Sequence, residues 1–350
     1  MTEGMLIRPL PPEEAGEAAR IWNACVESGE TLYCPLTETA FRRLFFSANG
    51  VLLAVERQGQ LIGFAHANPP QAGAGKAFLT TVTVKPGFRG QGAGRLLLDE
   101  VRRSMAVLGA ETLWVSSLNP TALGWRIPGT PGHGHNNMPG ADRDAPGYGF
   151  LRHVGFEEVY LETAMYLCLA DYKGEPGLSA LRLRLFSEGV YTGLYSPAMD
   201  VGFDRLCDRV GSEYWRNALK TEIAAWKANR PNEDPAFWAD GVPPKGPRPL
   251  LIAAREQEII GFTGPVDVQE NGRGWFTGIC VDPAFQRRGI GKALFHLLLQ
   301  SFRESGAAYA SLFTGEDNPA RLLYESAGFR CMRPFAMMRM ALRENNMKKP

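Results

Sequence analysis

The sequence lacks the features that most directly mark a nucleic-acid-binding, membrane or secreted protein. Its 38 lysines and arginines barely exceed its 37 aspartates and glutamates, so a net charge of +1 leaves no basic surplus for nucleic acid or an anionic membrane. No apolar run approaches membrane-spanning length. The opening MTEGMLIRPL has no basic segment followed by an apolar one, so we expect no signal peptide.

Paired cysteines are also missing. The six cysteines are scattered without a CxxC pair, at Cys25, Cys34, Cys168, Cys207, Cys280 and Cys331. That distribution is typical of reduced thiols and not of a disulfide framework or a zinc site. The sequence therefore predicts a cytoplasmic protein with no structural metal.

A long internal repeat is present. The stretch VDPAFQRRGIGKAL at 281–294 is nearly restated as VKPGFRGQGAGRLL at 84–97. The apolar runs upstream and the Asn-Pro and Gly-Phe pairs downstream recur in the same order. With 350 residues, more than one core usually serves, a duplicated domain is the natural interpretation. We predict half one at 1–170, a Gly- and Pro-broken linker at 171–177, and half two at 178–345.

Each half has the same predicted series of elements. A strand, one or two helices, a hairpin and a long strand lead into the glycine loop, and a helix, a strand, a helix and a final strand follow. This series mixes antiparallel and parallel pairing, which predicts an α+β fold with a mixed, mostly antiparallel sheet flanked by helices.

The halves differ at two places. Asn119 and Gly155 are 36 positions apart, whereas Asn318 and Gly328, their counterparts in half two, are 10 apart, so half one carries an insertion at about 121–150. Half two has a longer front end with several aromatics and a proline-rich segment at 231–249, which we interpret as a surface loop or, less simply, a lid.

A glycine loop that enters a helix is suited to an anion. The first helical amides have no partner within the helix, the helix dipole adds positive potential, and glycine leaves the backbone open to phosphate oxygens. The spacing lacks both the GxxxxGK[ST] of a P-loop and the third glycine of GxGxxG. What remains is [R/Q]xxGxG, as QRRGIG at 286–291 and RGQGAG at 89–94; the alternative is a plain glycine turn at each strand–helix junction.

With these loops, the preceding V-x-P and the later Asn-Pro and Gly-Phe pairs, the chain resembles the GNAT (GCN5-related N-acetyltransferase) superfamily, as a tandem member. The resemblance implies two GNAT-like domains, acetyl-CoA as co-substrate, and transfer of acetyl to a primary amine of a small molecule or peptide. It implies coenzyme contacts in half two at Ile279, Cys280, Val281, Gln286, Arg287, Arg288, Gly289, Ile290, Gly291, Lys292 and Asn318. In half one it implies them at Val84, Arg89, Gly90, Gly92, Gly94 and Arg95.

Tyr324 is the predicted catalytic residue. It lies four residues before Gly328, where the family often has a tyrosine beside the coenzyme sulfur. A phenol can protonate the departing thiolate, although a helix-face aromatic in the core would give the same pattern. The sequence identifies no general base: the long strand carries no carboxylate, and the nearby Glu270, Glu316 and Asp317 have the character of solvated loop residues.

Half one departs from the pattern at the corresponding position. Leu151 stands four residues before Gly155 and cannot donate a proton, and Tyr148, the nearest phenol, is offset by three residues. Half one is therefore predicted to lack the usual general acid, and either to bind coenzyme without catalysis or to use Tyr148 by another route.

Two further sets of residues allow alternatives. The half-two aromatics Tyr214, Trp215, Trp226, Phe237 and Trp238 fit either the family's acceptor pocket or a core. His133, His135, Asp142 and Asp144 in the insertion hint at a metal, but a histidine pair among Gly, Pro and Asn is more typical of an irregular surface loop.

Two functions remain at this stage. The first is an acetyl-CoA-dependent N-acetyltransferase with its chemistry in half two. The alternative is a non-catalytic acyl-CoA binding or sensing protein. The sequence leaves the acceptor amine and the oligomeric state open.

Overall fold

The computed structural model describes residues 4–46, 50–70, 75–196, 202–211, 213–227 and 248–342, with only the backbone at 214, 215, 218 and 225–227. The elements of half one are β1 (Met5–Pro9), α1 (Ala15–Glu27), α2 (Glu38–Phe45), β2 (Val51–Arg57), β3 (Gln60–Asn68), β4 (Lys76–Val84), α3 (Ala93–Val107), β5 (Thr112–Val115), β6 (Trp125–Arg126), β7 (Gly134–His135), β8 (Ala141–Asp142), α4 (Pro146–His153) and β9 (Glu157–Cys168).

The elements that follow are α5 (Leu178–Ser187), β10 (Val190–Leu194), α6 (Phe203–Val210), α7 (Glu213–Lys227), β11 (Leu251–Arg255), β12 (Glu258–Gly264), β13 (Asp267–Val268), β14 (Arg273–Trp275), β15 (Gly278–Val281), α8 (Ile290–Glu304), β16 (Tyr309–Gly315), α9 (Ala320–Ser326) and β17 (Arg330–Ala341). Within the described ranges, no helix is both long and apolar enough to cross a membrane.

The chain forms two compact units that exchange final strands between the halves. Unit 1 comprises Met1–Ala164 with Met332–Pro350, and unit 2 comprises Met165–Cys331. Within unit 1, β17 pairs antiparallel with β5, Met338 opposite Val115. The boundaries of the compact units therefore differ from those of the sequence repeat. The repeat boundaries at 170 and 178 remain a prediction.

Unit 1 is built on the sheet β1-β2-β3-β4-β5-β17, in which β4 and β5 run parallel and the other pairs antiparallel. Helix α3 covers one face because Leu97 and Val101 recur at helical spacing and are buried there. Helices α1 and α2 cover the other face through aromatics such as Trp22, Phe41 and Phe45, which pack around Phe64. This architecture confirms the α+β fold expected from the sequence.

Unit 2 repeats the plan with a divided sheet. Strands β10-β11-β12-β15 form an antiparallel sheet, while β14 pairs in parallel with β16. Helix α8 buries Leu294, Leu298 and Phe302 in the core beside them. The two strand groups separate after Trp275, which opens the sheet ahead of the glycine loop.

The hairpins of the two halves match in detail. Both carry a bulge, at Val55/Glu56 in one and Ala253/Ala254 in the other. Both turns place two residues at positive φ: Gln58 and Gly59 at 52° and 75°, and Glu256 and Gln257 at 51° and 66°. Two left-handed central residues give the turn whose twist matches that of the flanking strands, so the duplication extends to backbone conformation.

The insertion of half one contains a buried aromatic and short paired strands, which the sequence did not predict. Trp125 is fully buried, stacks on His135, and makes an edge contact with Phe335. Strands β6 and β7 form a hairpin with Trp125 opposite His135, and β8 pairs with β17. The insertion is therefore held in place by the burial of Trp125 and by backbone pairing at both of its ends.

Candidate active site

Both glycine loops have the same backbone geometry. Gly92 caps α3 at φ 95° and Gly289 caps α8 at φ 89°. The first intrahelical bonds run from Leu96 N to Gly92 O (3.0 Å) and from Ala293 N to Gly289 O (2.9 Å). The three amides before each bond, at 93–95 and 290–292, are left for an outside acceptor, which is the arrangement that binds phosphate.

A side chain at the start of each loop holds the loop against the preceding strand. Arg89 donates from Nε to the carbonyl of Val84 at 3.0 Å, and Gln286 donates from Nε2 to the carbonyl of Val281 at 3.1 Å. Arg89 goes further, contacting Cys25 Sγ at 3.1 Å and forming an ion pair with Glu30. The predicted loop residues Arg89 and Gln286 thus set the conformation of the loop from beneath.

Half one contains a cavity of about 650 Å³ that begins at its loop. Strands β4 and β5 pair only from Lys76 to Phe78, and beyond that point Leu79–Val84 line the cavity. All the coenzyme residues predicted for half one reach it: Val84, Arg89, Gly90, Gly92, Gly94 and Arg95. The volume lies in the range of small-molecule and cofactor sites.

The walls of this cavity include residues that the sequence did not connect with a coenzyme site. Trp22 and Tyr33 come from α1 and the segment after it, and Met138 and Asp142 come from the insertion. Asp142 is buried and accepts from Arg333 Nε and Nη2 at 2.9 and 3.2 Å. No short motif marks these positions, because they meet only through folding of the insertion.

The two side chains weighed for a proton donor in half one both line the cavity. Leu151 lies there and offers no proton. The hydroxyl of Tyr148 donates to Glu158 Oε2 at 2.9 Å, and Arg143 lies over its ring. Tyr148 is thus engaged with a carboxylate of β9.

In half two the predicted pantetheine strand is β15. It pairs with β12 on one side, Cys280 opposite Phe262 and Val281 opposite Gly261. Ile279 and Val281 pack on the core that contains α8. Burial raises the pKa of the Cys280 thiol to about 12, so this cysteine stays protonated and is no nucleophile at neutral pH.

Helix α5 braces the half-two loop, which the sequence did not predict. Arg184 Nη2 donates to the carbonyl of Arg288 at 2.8 Å. A methyl group on Gly289 would lie 2.8 Å from Leu181 Cδ1 and would force that side chain to shift, and the φ of 89° also favours glycine there. The predicted phosphate ligand Lys292 is paired with Glu175 at 2.9 Å.

Tyr324 lies on α9 and is buried, 7% exposed, among aromatics. Its ring is 5.1 Å from that of Phe295 and 6.2 Å from that of Phe329. Burial raises its pKa to about 12, so the phenol is protonated throughout the neutral range. Asn318 accepts from Ala320 N at 3.0 Å and so caps the start of the same helix.

The three carboxylates considered as a general base in half two, Glu270, Glu316 and Asp317, are all exposed. Sequence reasoning missed the buried Arg248, which forms ion pairs with Glu222 and Asp267 and lies 4.7 Å over the ring of Trp275.

Several predicted features fall outside the described residues. These are Phe237, Trp238, nearly all of 231–249, and the side chains of Tyr214, Trp215 and Trp226. Within the described ranges, no group of three or more His, Cys, Asp or Glu side chains is arranged to hold a metal ion.

Comparison with known proteins now identifies the class. The sequence profile described as "Acetyltransferase (GNAT) family" matches residues 18–125 and 213–329, one region in each half. These regions cover more than half of the chain, and the chain belongs to this family. A mycothiol acetyltransferase of Thermomonospora curvata is 27% identical over 298 residues, covering 84% of each protein.

Solved structures agree on the fold. A GCN5-related N-acetyltransferase from Sphaerobacter thermophilus aligns with a TM-score of 0.58 at 17% identity, covering 98% of this chain and 97% of that one. A tandem GNAT protein from the clavulanic acid biosynthesis pathway aligns at 0.56 and 15% identity, covering 98% and 100%. A GCN5-related glucosamine N-acetyltransferase region of a fungal multi-domain β-N-acetylglucosaminidase aligns at 0.68 and 15% identity, covering 96% of this chain and 38% of that one.

Proposed function

We propose that the chain is an acetyl-CoA-dependent N-acetyltransferase that moves acetyl from the thioester to a primary amine, with Tyr324 of half two as the proton donor. The observation that carries the proposal is the loop geometry: a left-handed glycine cap and three free amides at the start of α8, beside strands that separate. Family membership supports acetyl transfer as the reaction class.

The coenzyme would be held by main chain more than by side chains. The amides of Ile290, Gly291 and Lys292 would bind the pyrophosphate, and Arg287 and Arg288 would add positive charge near it. The pantetheine arm would lie along Ile279–Val281 as an additional strand, leaving the thioester carbonyl near a β15 amide that polarises it. Lys292 would then share its charge between Glu175 and the diphosphate.

The chemistry proceeds by direct attack of the amine. The nitrogen adds to the carbonyl carbon, the C–S bond breaks, and the sulfur leaves with the proton of Tyr324. The surplus proton of the new amide nitrogen then restores the phenol, so the products are an amide and free CoA thiol. A buried phenol of pKa about 12 keeps its proton until the thiolate develops, so it is a donor only at the moment of cleavage. Direct attack also accords with Cys280 remaining a thiol, since no acyl-cysteine intermediate is then needed.

The acceptor is proposed as a small-molecule or peptide amine. The mycothiol acetyltransferase of Thermomonospora curvata directs attention to a small thiol-bearing conjugate, and the glucosamine N-acetyltransferase region to an amino sugar. Both compounds belong in a first panel of acceptors.

The competing proposal is a non-catalytic acyl-CoA binding or sensing protein. One observation favours it for half one, where a large cavity accompanies Leu151 in place of the phenol. Binding alone raises the melting temperature by stabilising the native state, and it does so equally under both proposals.

Thiol release decides between them. The enzyme releases CoA thiol from acetyl-CoA when a suitable amine is added, and Tyr324→Phe should slow that release by about 10²- to 10⁴-fold in half two. The melting temperature and its rise with acetyl-CoA should be unchanged, and Tyr160→Phe, at an exposed phenol, serves as control. Normal turnover in Tyr324→Phe would remove Tyr324 from the mechanism.

A further inference from the structure

The far end of the half-one cavity contains a phenol that the family pattern does not supply. The lining strand runs from Val84 at the loop to Leu79, about 17 Å at the usual rise per residue. An arm that enters at the loop and lies along this strand therefore ends near Leu79 and Thr80. Tyr33 lines the cavity at that end, together with Thr80 and Val115.

Tyr33 is held firmly by its surroundings. Its ring lies 4.9 Å from that of Trp22. Its backbone forms a bridge with Trp125 of the insertion, and Cys34 N donates to Gly124 O at 2.8 Å beside it. The insertion thus fixes the segment that carries Tyr33, which gives this otherwise unexplained addition to half one a role at the cavity.

The hydroxyl of Tyr33 is protonated and available. Among the described residues, none makes a hydrogen bond to it. Burial raises its pKa to about 12, and the negative charge of Asp142 contributes in the same direction. Arg333 forms an ion pair with Asp142 at 2.9 Å. The phenol can therefore give a proton to a developing thiolate, which Leu151 cannot do.

We infer that half one is a second acyl-transfer centre, in which Tyr33, and not the residue at position 151, protonates the leaving sulfur. The inference rests on the proposed use of acetyl-CoA by this chain. The amine nitrogen bonds to the carbonyl carbon, the C–S bond breaks, and sulfur takes the phenolic proton. The phenolate then takes the surplus proton of the new amide nitrogen, so the products are an amide and free CoA thiol, with no other reactant.

A small polar cavity limits the acyl group. It has a volume of about 30 Å³ and shares Tyr33, Leu79 and Thr80 with the large cavity. Its other walls include Asn119 and Thr121, which hydrogen-bond to one another through the backbone of Thr121 at 3.0 Å. Such a volume holds about two water molecules. We expect half one to use donors with a short acyl chain, such as acetyl.

The first experiment tests where the sulfur lies and needs no acceptor. Tyr33→Cys is incubated with CoA disulfide, and mixed-disulfide formation is followed by intact mass. If the sulfur end reaches Tyr33, capture should exceed that of wild type and of the exposed control Tyr160→Cys by about tenfold or more, because binding aligns the two sulfurs. Capture no faster than in Tyr160→Cys would overturn the inference.

The second experiment tests the chemistry and separates the two centres. Thiol release from acetyl-CoA is measured with hydroxylamine as a small acceptor in Tyr33→Phe, Tyr324→Phe and the double variant. We expect each single variant to keep part of the release and the double variant to lose about 10²-fold or more. Complete loss in Tyr324→Phe with no effect of Tyr33→Phe would overturn the inference and leave the proposed function intact. Complete loss in Tyr33→Phe alone would uphold half one and remove Tyr324 instead.

Discussion

The two glycine loops have the same backbone conformation but carry different residues at one strained position. The second loop position is left-handed in both, at φ 73° for Gly90 and 61° for Arg287. Glycine adopts this conformation freely, whereas arginine pays about 1–2 kcal/mol. Half two therefore retains strain at a position where half one has none, and the strained residue is one of the two arginines that the proposed function places near the coenzyme's phosphates.

The same contrast recurs beneath the loops. Where half one has Lys85 after its strand, half two has the buried Asp282, which accepts from Ala284 N at 2.9 Å and pairs with Arg209 of α6. Where half one has the buried His66, half two has Gly264, at the matching position of the aligned hairpins. A duplicated backbone thus tolerates different polar groups in the two copies, and each difference can be tested separately.

The largest effect is expected at Gly289. Gly289→Ala combines left-handed strain with a 2.8 Å contact to Leu181, so the free energy of unfolding should fall by about 3 kcal/mol, with loss of the coenzyme bound at that loop. Gly306→Ala is the matched control, because φ is 85° there but no atom lies within 4 Å. Denaturant titration and calorimetry give the two readouts, and equal losses in both variants would contradict the role of Leu181.

The next effect is acid sensitivity of the half-one hairpin. Burial lowers the pKa of His66 to about 4, below the unfolded value of 6.5. A depressed pKa contributes stability that is present above pH 6.5 and lost as pH falls through about 4, amounting to about 3 kcal/mol.

Hydrogen exchange measures this loss strand by strand. Amides of β3 should lose protection between pH 6.5 and 4, whereas those of β12, where Gly264 stands, should not. His66→Asn keeps a polar partner near Thr80 without the titration and should abolish the difference. Equal acid sensitivity of β3 in that variant would assign the effect elsewhere.

A smaller loss is expected at the buried end of an ion pair. Asp282→Asn keeps the acceptor for Ala284 N but removes the charge opposite Arg209, so the free energy of unfolding should fall by about 1–2 kcal/mol. Asp204→Asn changes the exposed pair with Lys220 and should cost about 0.5 kcal/mol or less. Similar costs in both, measured by urea denaturation, would show that burial adds nothing here.

The sequence predicted what depends on local pattern. The hairpins and both glycine loops were predictable because apolar periodicity and glycine spacing act within a few residues. The exchange of last strands was not predictable, since AMYLCL at 164–169 and MMRMAL at 337–342 have the same apolar character, and that pattern does not say which of them pairs with β5. Binary pattern fixes that a strand forms but not which partner it joins.

The candidate site was predicted unevenly for the same reason. The half-one loop residues all line one cavity because a single motif carries them, and their contact with coenzyme stays a prediction. Tyr33 was missed because it lies between helices, and its position depends on pairing with Trp125 about ninety residues later in the chain. The brace at Arg184 also carries no motif, because it donates to a carbonyl that every residue has.

The smallest effect concerns the loop strain itself. Arg287→Gly should raise the free energy of unfolding by about 1 kcal/mol, because glycine occupies φ 61° without the penalty of a side chain. The same variant should weaken acetyl-CoA binding, because a charge near the diphosphate is lost. The reciprocal Gly90→Arg should lower stability by about the same amount. Melting curves with and without acetyl-CoA measure both quantities, and Arg287→Lys separates them, since it keeps the charge and most of the strain. If Arg287→Gly gained no stability, the left-handed arginine would be compensated within the loop, and the strain would not distinguish the two halves.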